Sequence, residues 1–246
     1  GSPYLGGLQY LFLNGVGTDP NAAYAGTIPH LTFMVYQLMF AIITPALISG
    51  AFAERIKFTG SMVFMALWLV VVYLPMAHMV WGAGGLMGAV SGAIPAFDFA
   101  GGTVVHISAG CAALAGALVL KRRKAHIEGA EIPPSNVPYV LIGTGLLWFG
   151  WFGFNAGSAL AANALSVSAF ATTNTAAAAA GLSWMFFDVL RGKKPSVLGF
   201  CIGAVVGLVA ITPAAGYVAI PQSIFIGVVA AVVSNVAVQI KSKSKL

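Results

Sequence analysis

A histidine inside an apolar run is the residue of this sequence best suited to proton chemistry. His106 lies in the run GTVVHIS at 102–108, which carries no other ionisable side chain. Imidazole titrates near neutral pH and can pass a proton from one ring nitrogen to the other, so His106 suits a proton relay. A histidine that hydrogen-bonds between helices for packing is the alternative. The other histidines, His30, His78 and His126, lie in predicted loops or near a helix end, and none is an evident relay partner.

Aromatic side chains and one hydroxyl form a second candidate group. Trp151, Phe154 and Ser158 follow one another at spacings of three and four residues, so they share one face of a helix. Trp81 ends a separate apolar run, where tryptophan is also a common membrane-interface residue. An aromatic face attracts a cation and a hydroxyl adds a hydrogen bond, so these residues together predict a site for a small cation.

Three more residues are candidates for the same region. Tyr73 lies about two helical turns before Trp81, and Phe40 lies in the first long apolar segment, although plain packing would explain either ring. Asp98 shortly precedes the apolar run that contains His106. Its carboxylate can cap the free N–H groups at the start of that helix, attract a cation, or do both.

The composition places these residues in a membrane. The chain has 246 residues, of which 59% are hydrophobic and 7% charged, with a mean hydropathy of +0.92. A soluble domain has about 25% charged residues, so this chain cannot cover a water-exposed surface. Whole runs are apolar rather than alternating, which predicts helices and excludes barrel strands. The predicted fold class is therefore an all-α polytopic membrane protein.

About seven spanning helices fit the length, since each needs about 20 residues. The apolar segments are 31–53, 60–82, 100–120, 138–160, 166–188, 196–212 and 221–240. All twelve Lys and Arg residues follow odd-numbered segments, the last of them being Lys241, Lys243 and Lys245. Basic residues stay in the cytoplasm, so we expect odd segments to run from outside to inside. The net charge of +6 then reflects topology and contact with anionic lipid, not nucleic-acid binding.

Small residues predict where the helices approach closely. Gly102, His106 and Gly110 share one face of the third segment, and the fifth segment contains the small-residue run 176–181. Small side chains allow close helix contacts in membranes, so we expect both faces to lie inside the bundle.

Neither a metal nor a cofactor is predicted. The two cysteines, Cys111 and Cys201, lie in separate apolar runs and suit packing. No Cys and His residues have the spacing of a metal site, and no array of acidic residues lines the segments, so we do not expect transport of a hard metal ion.

At these residues the chain resembles the Amt/MEP/Rh family of ammonium transporters. The matching stretches, in the family's order, are AFAERI at 51–56, AHMVWG at 77–82, DFAGGTVVHI at 98–107 and GWFGFNAGSA at 150–159. The resemblance implies an eleven-helix fold built from an inverted repeat. The pair Trp81 and Ser158 is similar to the Amt branch in particular.

The resemblance implies a role for each aromatic candidate. Trp81 and Ser158 match the outer site that recruits the ammonium ion, and Phe40 and Phe154 match the stacked phenyl gate below it.

The remaining candidates also match family positions. Tyr73 and Trp151 match aromatic residues that line the same region, and Asp98 matches the acidic residue that supports the recruitment site. His106 matches the first of two histidines that line the hydrophobic pore.

The resemblance further implies that the chain is a piece of the family fold. It would begin after the family's second helix and end after its ninth, so the helix that carries the second pore histidine would be missing. We therefore expect residues 1–246 to be a single transmembrane domain that lacks the first two and last two helices of the fold.

The function implied is ammonium and ammonia transport, by recruitment of the ion, deprotonation and passage through the pore, with no enzymatic activity and no cofactor. The implied setting is a homotrimer in the lipid bilayer of a prokaryote's cytoplasmic membrane, with a PII-type regulatory protein at the cytoplasmic loops. An ammonium-sensing domain of a signalling protein is the alternative. A membrane enzyme using His106 and Asp98 would need further catalytic groups, and the sequence offers none.

Overall fold

The chain forms two compact units in a computed structural model that describes residues 1–130 and 133–243. The units are Gly1–Ala130 and Glu131–Leu246. Every apolar segment predicted from the sequence corresponds to a helix or a run of consecutive helical turns.

The first unit has a 3-10 turn at Leu11–Leu13 that precedes an antiparallel strand pair, β1 (Pro20–Asn21) and β2 (Ala25–Pro29). Its α-helices are α1 (His30–Ala46), α2 (Ser49–Phe52), α3 (Phe58–Trp68), α4 (Leu74–Trp81), α5 (Ser108–Leu120) and α6 (Lys124–Ile127). Two π-helical segments extend these helices. Leu69–Tyr73 joins α3 to α4, and Gly102–Ile107 leads directly into α5. A π-helical turn holds one residue more than an α-helical turn, and such turns are frequent at functional sites.

The second unit has only helices as regular secondary structure in its described part. Its helices are α7 (Val137–Ala156), α8 (Ala164–Leu190), α9 (Val197–Ile211) and α10 (Ile220–Lys243), with a 3-10 turn at Gly157–Ala159. Polar residues mark the start of three of these helices, because the polar side chains accept hydrogen bonds from backbone N–H groups of the first turn. These residues are Asn136 for α7, Asn163 for α8 and Ser196 for α9.

Within the described residues, five stretches are long and apolar enough to cross a membrane. They are His30–Phe52, Phe58–Trp81, Gly102–Leu120, Val137–Ala159 and Ile220–Lys241. The predicted segment 196–212 corresponds to α9, which is apolar but has only 15 residues. The segment 166–188 corresponds to α8, which has 27 residues but lies outside the group of five because its composition is less apolar. The chain is therefore an integral membrane protein with the all-α fold class that its composition predicts.

Backbone-to-backbone contact between α8, α9 and α10 confirms the prediction for the small residues of the fifth segment. A Cβ atom added at Gly207 of α9, or at Gly227 of α10, would lie 2.4 Å from the carbonyl oxygen of Ala176 in α8. At Gly203 the added atom would lie 2.7 Å from the Ala180 oxygen. Such distances are below any real Cβ contact, so a side chain at these positions would separate the helices.

The small-residue face predicted for the third segment is only partly buried, which corrects that prediction. Gly102 is buried and His106 half-buried, but Gly110 is exposed. The physical reason is that α2 packs on α5 from another side, where a Cβ atom on Gly116 would lie 2.2 Å from the Phe52 ring. No described element of the first unit comes within 4 Å of a Cβ atom at Gly110.

Basic residues gather at one end of the first unit. The Arg55 guanidinium donates to the Lys121 carbonyl, and Arg123 Nη2 donates to the Gly50 carbonyl at 2.9 Å. These contacts bring together the basic loops that follow the first and third segments. The predicted topology places both loops on the same side of the membrane. Among the predicted cytoplasmic residues, Lys245 lies outside the described part of the chain.

An aromatic cluster precedes the first span. His30 is the first residue of α1 rather than a loop residue, and its ring lies 5.1 Å from that of Tyr10, centroid to centroid. The Tyr24 ring stacks on His30 at 6.3 Å. Burial, and then the nearby Tyr10, raise the pKa of the Tyr24 hydroxyl. The cluster therefore packs the strand pair against the start of α1.

Candidate functional site

Trp81 is held at the end of α4 by contacts on two sides. Its indole Nε1 donates to the backbone carbonyl of Asp98 at 3.0 Å. The Phe40 ring of α1 meets the indole at 5.6 Å between centroids and an interplanar angle of 72°. This edge-to-face arrangement is one that aromatic pairs prefer. Two of the predicted substrate-binding residues are therefore in direct contact.

The Asp98 carboxylate caps the start of the third span. Oδ1 accepts from the N–H groups of Gly101 and Gly102 at 2.8 and 2.6 Å, and Oδ2 accepts from Thr103 and Val104 at 2.8 and 3.1 Å. Two oxygens of a carboxylate offer about four acceptor sites, and here all are used. The helix-cap alternative for Asp98 is thus confirmed. Its side chain is buried, with 6% of its surface exposed.

Gly101 makes the turn between Asp98 and the third span. Its φ of +113° is a backbone conformation that residues with a Cβ atom rarely adopt. An added Cβ atom would lie 2.7 Å from Val105 Cγ2 and 3.4 Å from the Trp81 ring. The absence of a side chain therefore lets the Asp98 cap and the Trp81 indole lie against the same turn.

Tyr73 and Phe40 are linked through a threonine that sequence reasoning missed. The Thr44 hydroxyl donates to the Phe40 carbonyl at 2.6 Å, and its side chain lies next to the Tyr73 hydroxyl. Tyr73 and Thr44 are 2% and 0% exposed. The sequence gives no signal for this contact, because Tyr73 lies on a different helical segment from Thr44 and Phe40.

His106 lies within the π-helical segment Gly102–Ile107. Its backbone N–H donates to the carbonyl of Gly101 at 3.1 Å, five residues back, as in a π-helix. The same turn therefore connects His106 to the glycine that adjoins the Asp98 cap and Trp81.

The predicted residues of the second unit also make direct contacts. The Trp151 and Phe154 rings stack with centroids 4.9 Å apart at an interplanar angle of 25°. Ser158 lies in the 3-10 turn after α7, and its hydroxyl donates to the Phe154 carbonyl at 2.9 Å. These contacts confirm that Trp151, Phe154 and Ser158 lie along one face of a helix, as their spacing predicts.

Two buried hydrogen bonds position this aromatic pair and were missed from the sequence. Trp151 Nε1 donates to Thr212 Oγ1 at 2.9 Å, across 61 residues of chain. Asn155, which is fully buried, donates from Nδ2 to Thr173 Oγ1 at 2.9 Å. Sequence spacing carries no signal for either pair, because both bonds join separate helices.

The structure thus brings the candidates together in two groups. Phe40, Tyr73, Trp81, Asp98 and His106 belong to the first unit, and Trp151, Phe154 and Ser158 to the second. The pairing of Trp81 with Ser158 and of Phe40 with Phe154 stays a prediction. Within residues 1–130 and 133–243, no three His, Cys, Asp or Glu side chains are placed to hold a metal ion.

Comparison with known proteins identifies close relatives. A sequence model described as Ammonium Transporter Family matches residues 6–246. The Bacillus subtilis protein named ammonium transporter is 49% identical over 229 residues, which are 93% of this chain and 54% of that protein.

Solved structures agree with the sequence match. The crystal structure of Candida albicans Mep2 superimposes with a TM-score of 0.89 at 43% identity, over 98% of this chain and 52% of that one. A structure named Sensor Amt Protein matches with a TM-score of 0.76 at 30% identity, over 90% of this chain and 60% of that one. The chain therefore spans little more than half the length of these relatives.

Proposed function

The chain belongs to the Ammonium Transporter Family, and on that premise we propose that the protein containing it transports ammonium and ammonia across a membrane. The relatives are named as transporters and not as enzymes, which agrees with the function class expected from the sequence. The observation that carries the proposal is the Phe40–Trp81 contact, with Trp81 hydrogen-bonded to Asp98 O.

Recruitment of the ion is the first proposed step. The faces of Trp81 and neighbouring aromatic rings attract a small cation, and the Ser158 hydroxyl accepts a hydrogen bond from ammonium. The Asp98 carboxylate is already saturated by backbone N–H groups. This leaves the carboxylate no acceptor site for direct coordination of the ion. Asp98 therefore supports the site through its backbone carbonyl, which fixes Trp81, and through its charge.

Deprotonation is the second proposed step. A charged ion in an apolar passage loses its hydration without compensation, which is very costly. Neutral ammonia avoids that cost, so the ion is expected to release its proton below the phenyl gate of Phe40 and Phe154. His106 would take part in moving the proton, together with a second histidine supplied by the rest of the protein.

Variants of the full polypeptide that contains residues 1–246 test this proposal. Uptake of labelled methylammonium, competed by potassium, is measured for Trp81→Leu combined with Ser158→Ala. We expect potassium to compete several times better than in the unaltered protein, because the cation–π contact is lost. Phe149→Leu changes an aromatic ring that is 77% exposed and serves as the control. Unchanged competition in the double variant would count against the recruitment site.

His106 variants test the proton step separately. His106→Ala should abolish uptake while leaving methylammonium binding intact, and His106→Asp should change ion selectivity because it places a different acid in the passage. Full uptake by His106→Ala would remove this residue from the mechanism.

The structural match to the Sensor Amt Protein favours sensing as the second candidate function. In that case the domain binds ammonium, passes little of it, and signals through another part of the polypeptide. Ammonium binding by the full polypeptide without methylammonium uptake would favour sensing, and uptake would favour transport.

The cellular setting is proposed on the same basis. We expect one transmembrane domain over residues 1–246, assembled as a homotrimer in the cytoplasmic membrane of a prokaryote. A PII-type regulatory protein would bind the cytoplasmic loops. Cross-linking of the full polypeptide tests for the trimer. Co-purification with the full polypeptide tests for the regulatory partner.

A further inference from the structure

We propose that the left-handed backbone of Leu160 positions the Ser158 hydroxyl and thereby contributes to the selection of ammonium over potassium. Leu160 directly follows the 3-10 turn Gly157–Ala159, and its φ of +54° and ψ of +18° lie in the left-handed helical region. The inference rests on the proposed function, because it concerns the recruitment residue Ser158. It adds a positioning role for a residue outside the group of candidates that the sequence and the site contacts identify.

Leu160 has an unusual backbone conformation for a residue with a large side chain. Within residues 133–243 it is the one residue other than glycine with a positive φ. The left-handed conformation brings a Cβ atom close to the following carbonyl oxygen, which is why glycine is the usual residue where a helix ends in this way. Such a conformation persists where the surrounding structure fixes it, and it is concentrated at binding sites and switch regions. The backbone of Leu160 therefore indicates a constraint on the turn that contains Ser158.

Hydrogen bonds fix this turn on its α7 side. Asn155 donates from Nδ2 to Thr173 Oγ1 at 2.9 Å, which ties the last turn of α7 to α8. The Leu160 N–H donates to the Gly157 carbonyl at 2.9 Å and closes the 3-10 turn. Each residue of a 3-10 turn rotates by about 120° around the axis, against about 100° in an α-helix. The direction of the Ser158 side chain therefore depends on where α7 changes into this turn.

The start of α8 fixes the other side of the connection. Asn163 Oδ1 accepts the Ser166 N–H at 3.0 Å, and Ser166 Oγ accepts the Asn163 N–H at 3.1 Å. This reciprocal capping box sets how the chain enters α8. Only residues 160–162 separate the 3-10 turn from the cap, so the chain must change direction within them. Leu160 makes that change with its left-handed backbone, and the position of Ser158 depends on it.

The Ser158 hydroxyl uses its single proton within the helix. It donates to the Phe154 carbonyl at 2.9 Å, four residues back. Toward a ligand, the oxygen can then act only as an acceptor. Ammonium offers N–H donors whose hydrogen bonds weaken steeply when they are misaligned, whereas potassium has no such directional requirement. A turn that loses its fixed conformation should therefore weaken the binding of ammonium more than that of potassium.

Substitutions at residue 160 of the full polypeptide test the conformation. Leu160→Val introduces a β-branched residue, for which a positive φ is strongly disfavoured, and we expect potassium to compete several times better against labelled methylammonium. Leu160→Gly allows the same conformation without strain, so competition should be unchanged and the melting temperature in detergent at least as high. Leu165→Val makes the same chemical change at an exposed position of α8 and serves as the control.

A double variant tests whether residue 160 acts through Ser158. In that case Leu160→Val combined with Ser158→Ala should change potassium competition no more than Ser158→Ala alone, because coupled residues are not additive. Full addition of the two effects would overturn the proposal, and so would normal competition in the valine variant. A glycine variant that melts lower or loses selectivity would also overturn it, and this result does not depend on folding of the valine variant.

The readout separates this proposal from the proposed function. Potassium competition is measured by equilibrium binding of methylammonium as well as by uptake. Binding without uptake would contradict transport and leave the role of Leu160 open to the same test. If Ser158→Ala has no effect on binding, the recruitment site is wrong and the positioning role of Leu160 is overturned with it.

Discussion

The indole nitrogen of Trp81 and the backbone carbonyl of Asp98 are joined by a hydrogen bond of 3.0 Å. Asp98 thereby performs two tasks at once. Its carboxylate organises the first turn of the third span, while its carbonyl orients the ring at the end of the second. A change at this residue should consequently affect both the stability of the span and the selection of the ion.

Asp98→Asn should lower both the stability of the protein and its selectivity for ammonium. The amide keeps a single acceptor oxygen for four N–H groups and loses the negative charge at the helix start. We expect a loss of about 2 kcal/mol in the free energy of unfolding, measured by thermal unfolding in detergent, with weaker competition by ammonium against potassium. Asp19→Asn, at an exposed position, is the control. Wild-type stability in the Asp98 variant would contradict the cap.

Gly101→Ala should destabilise the same turn without altering any charge. The left-handed backbone costs a residue with a Cβ atom about 1–2 kcal/mol, and the added methyl group overlaps Val105 Cγ2. The variant should therefore unfold at a lower temperature. Gly145→Ala adds the same group within α7, where nothing lies within 4 Å, and should be neutral or slightly stabilising. Equal melting temperatures for the two variants would refute the argument.

Thr212→Val should loosen Trp151 while preserving the volume of the side chain. The indole N–H loses its acceptor at 2.9 Å, which should cost about 1 kcal/mol of unfolding free energy and reduce methylammonium uptake. Thr144→Val is the matched control, because the Thr144 hydroxyl donates within its own helix to the Val140 carbonyl. The interpretation fails if both valine variants transport and unfold alike.

Cysteine labelling should place the basic end of each unit in the cytoplasm. The native Cys111, which is exposed, and Cys201 are first replaced by alanine. Lys121→Cys and Lys193→Cys should then react with an impermeant maleimide only in inverted vesicles, because basic loops stay inside. Val90→Cys, fully exposed in the loop after α4, should react in intact cells. Reaction of either lysine replacement from outside would reverse the orientation.

The length of the apolar runs was sufficient to predict the helices, because a helix needs about 20 apolar residues to cross the hydrocarbon core of a bilayer. Helical spacing likewise predicted the shared face of Trp151, Phe154 and Ser158, since all three belong to one continuous helical stretch. The sequence also offered a cap role for Asp98, alone or together with attraction of a cation. The hydrogen bonds to backbone N–H groups show the cap.

Contacts between separate helices were not predictable. The bond from Trp151 to Thr212 spans 61 residues, and its geometry depends on how α7 and α9 pack. The exposure of Gly110 has the same origin, because periodicity identifies a face but not the neighbour that covers it. Neither π-helical segment is visible in hydropathy either, as the additional residue leaves the apolar composition unchanged.

The π-helical segment Leu69–Tyr73 sets the helical phase of α4 relative to α3. If the same residues formed an α-helix, with none removed, Trp81 would turn about 100° around the helix axis relative to Trp68. The indole would then point away from Phe40, although every aromatic residue would still be present. The type of helical turn between two rings is therefore as strict a requirement as their chemical type. A sequence with one residue fewer at this point keeps the same geometry only if it loses the π turn as well.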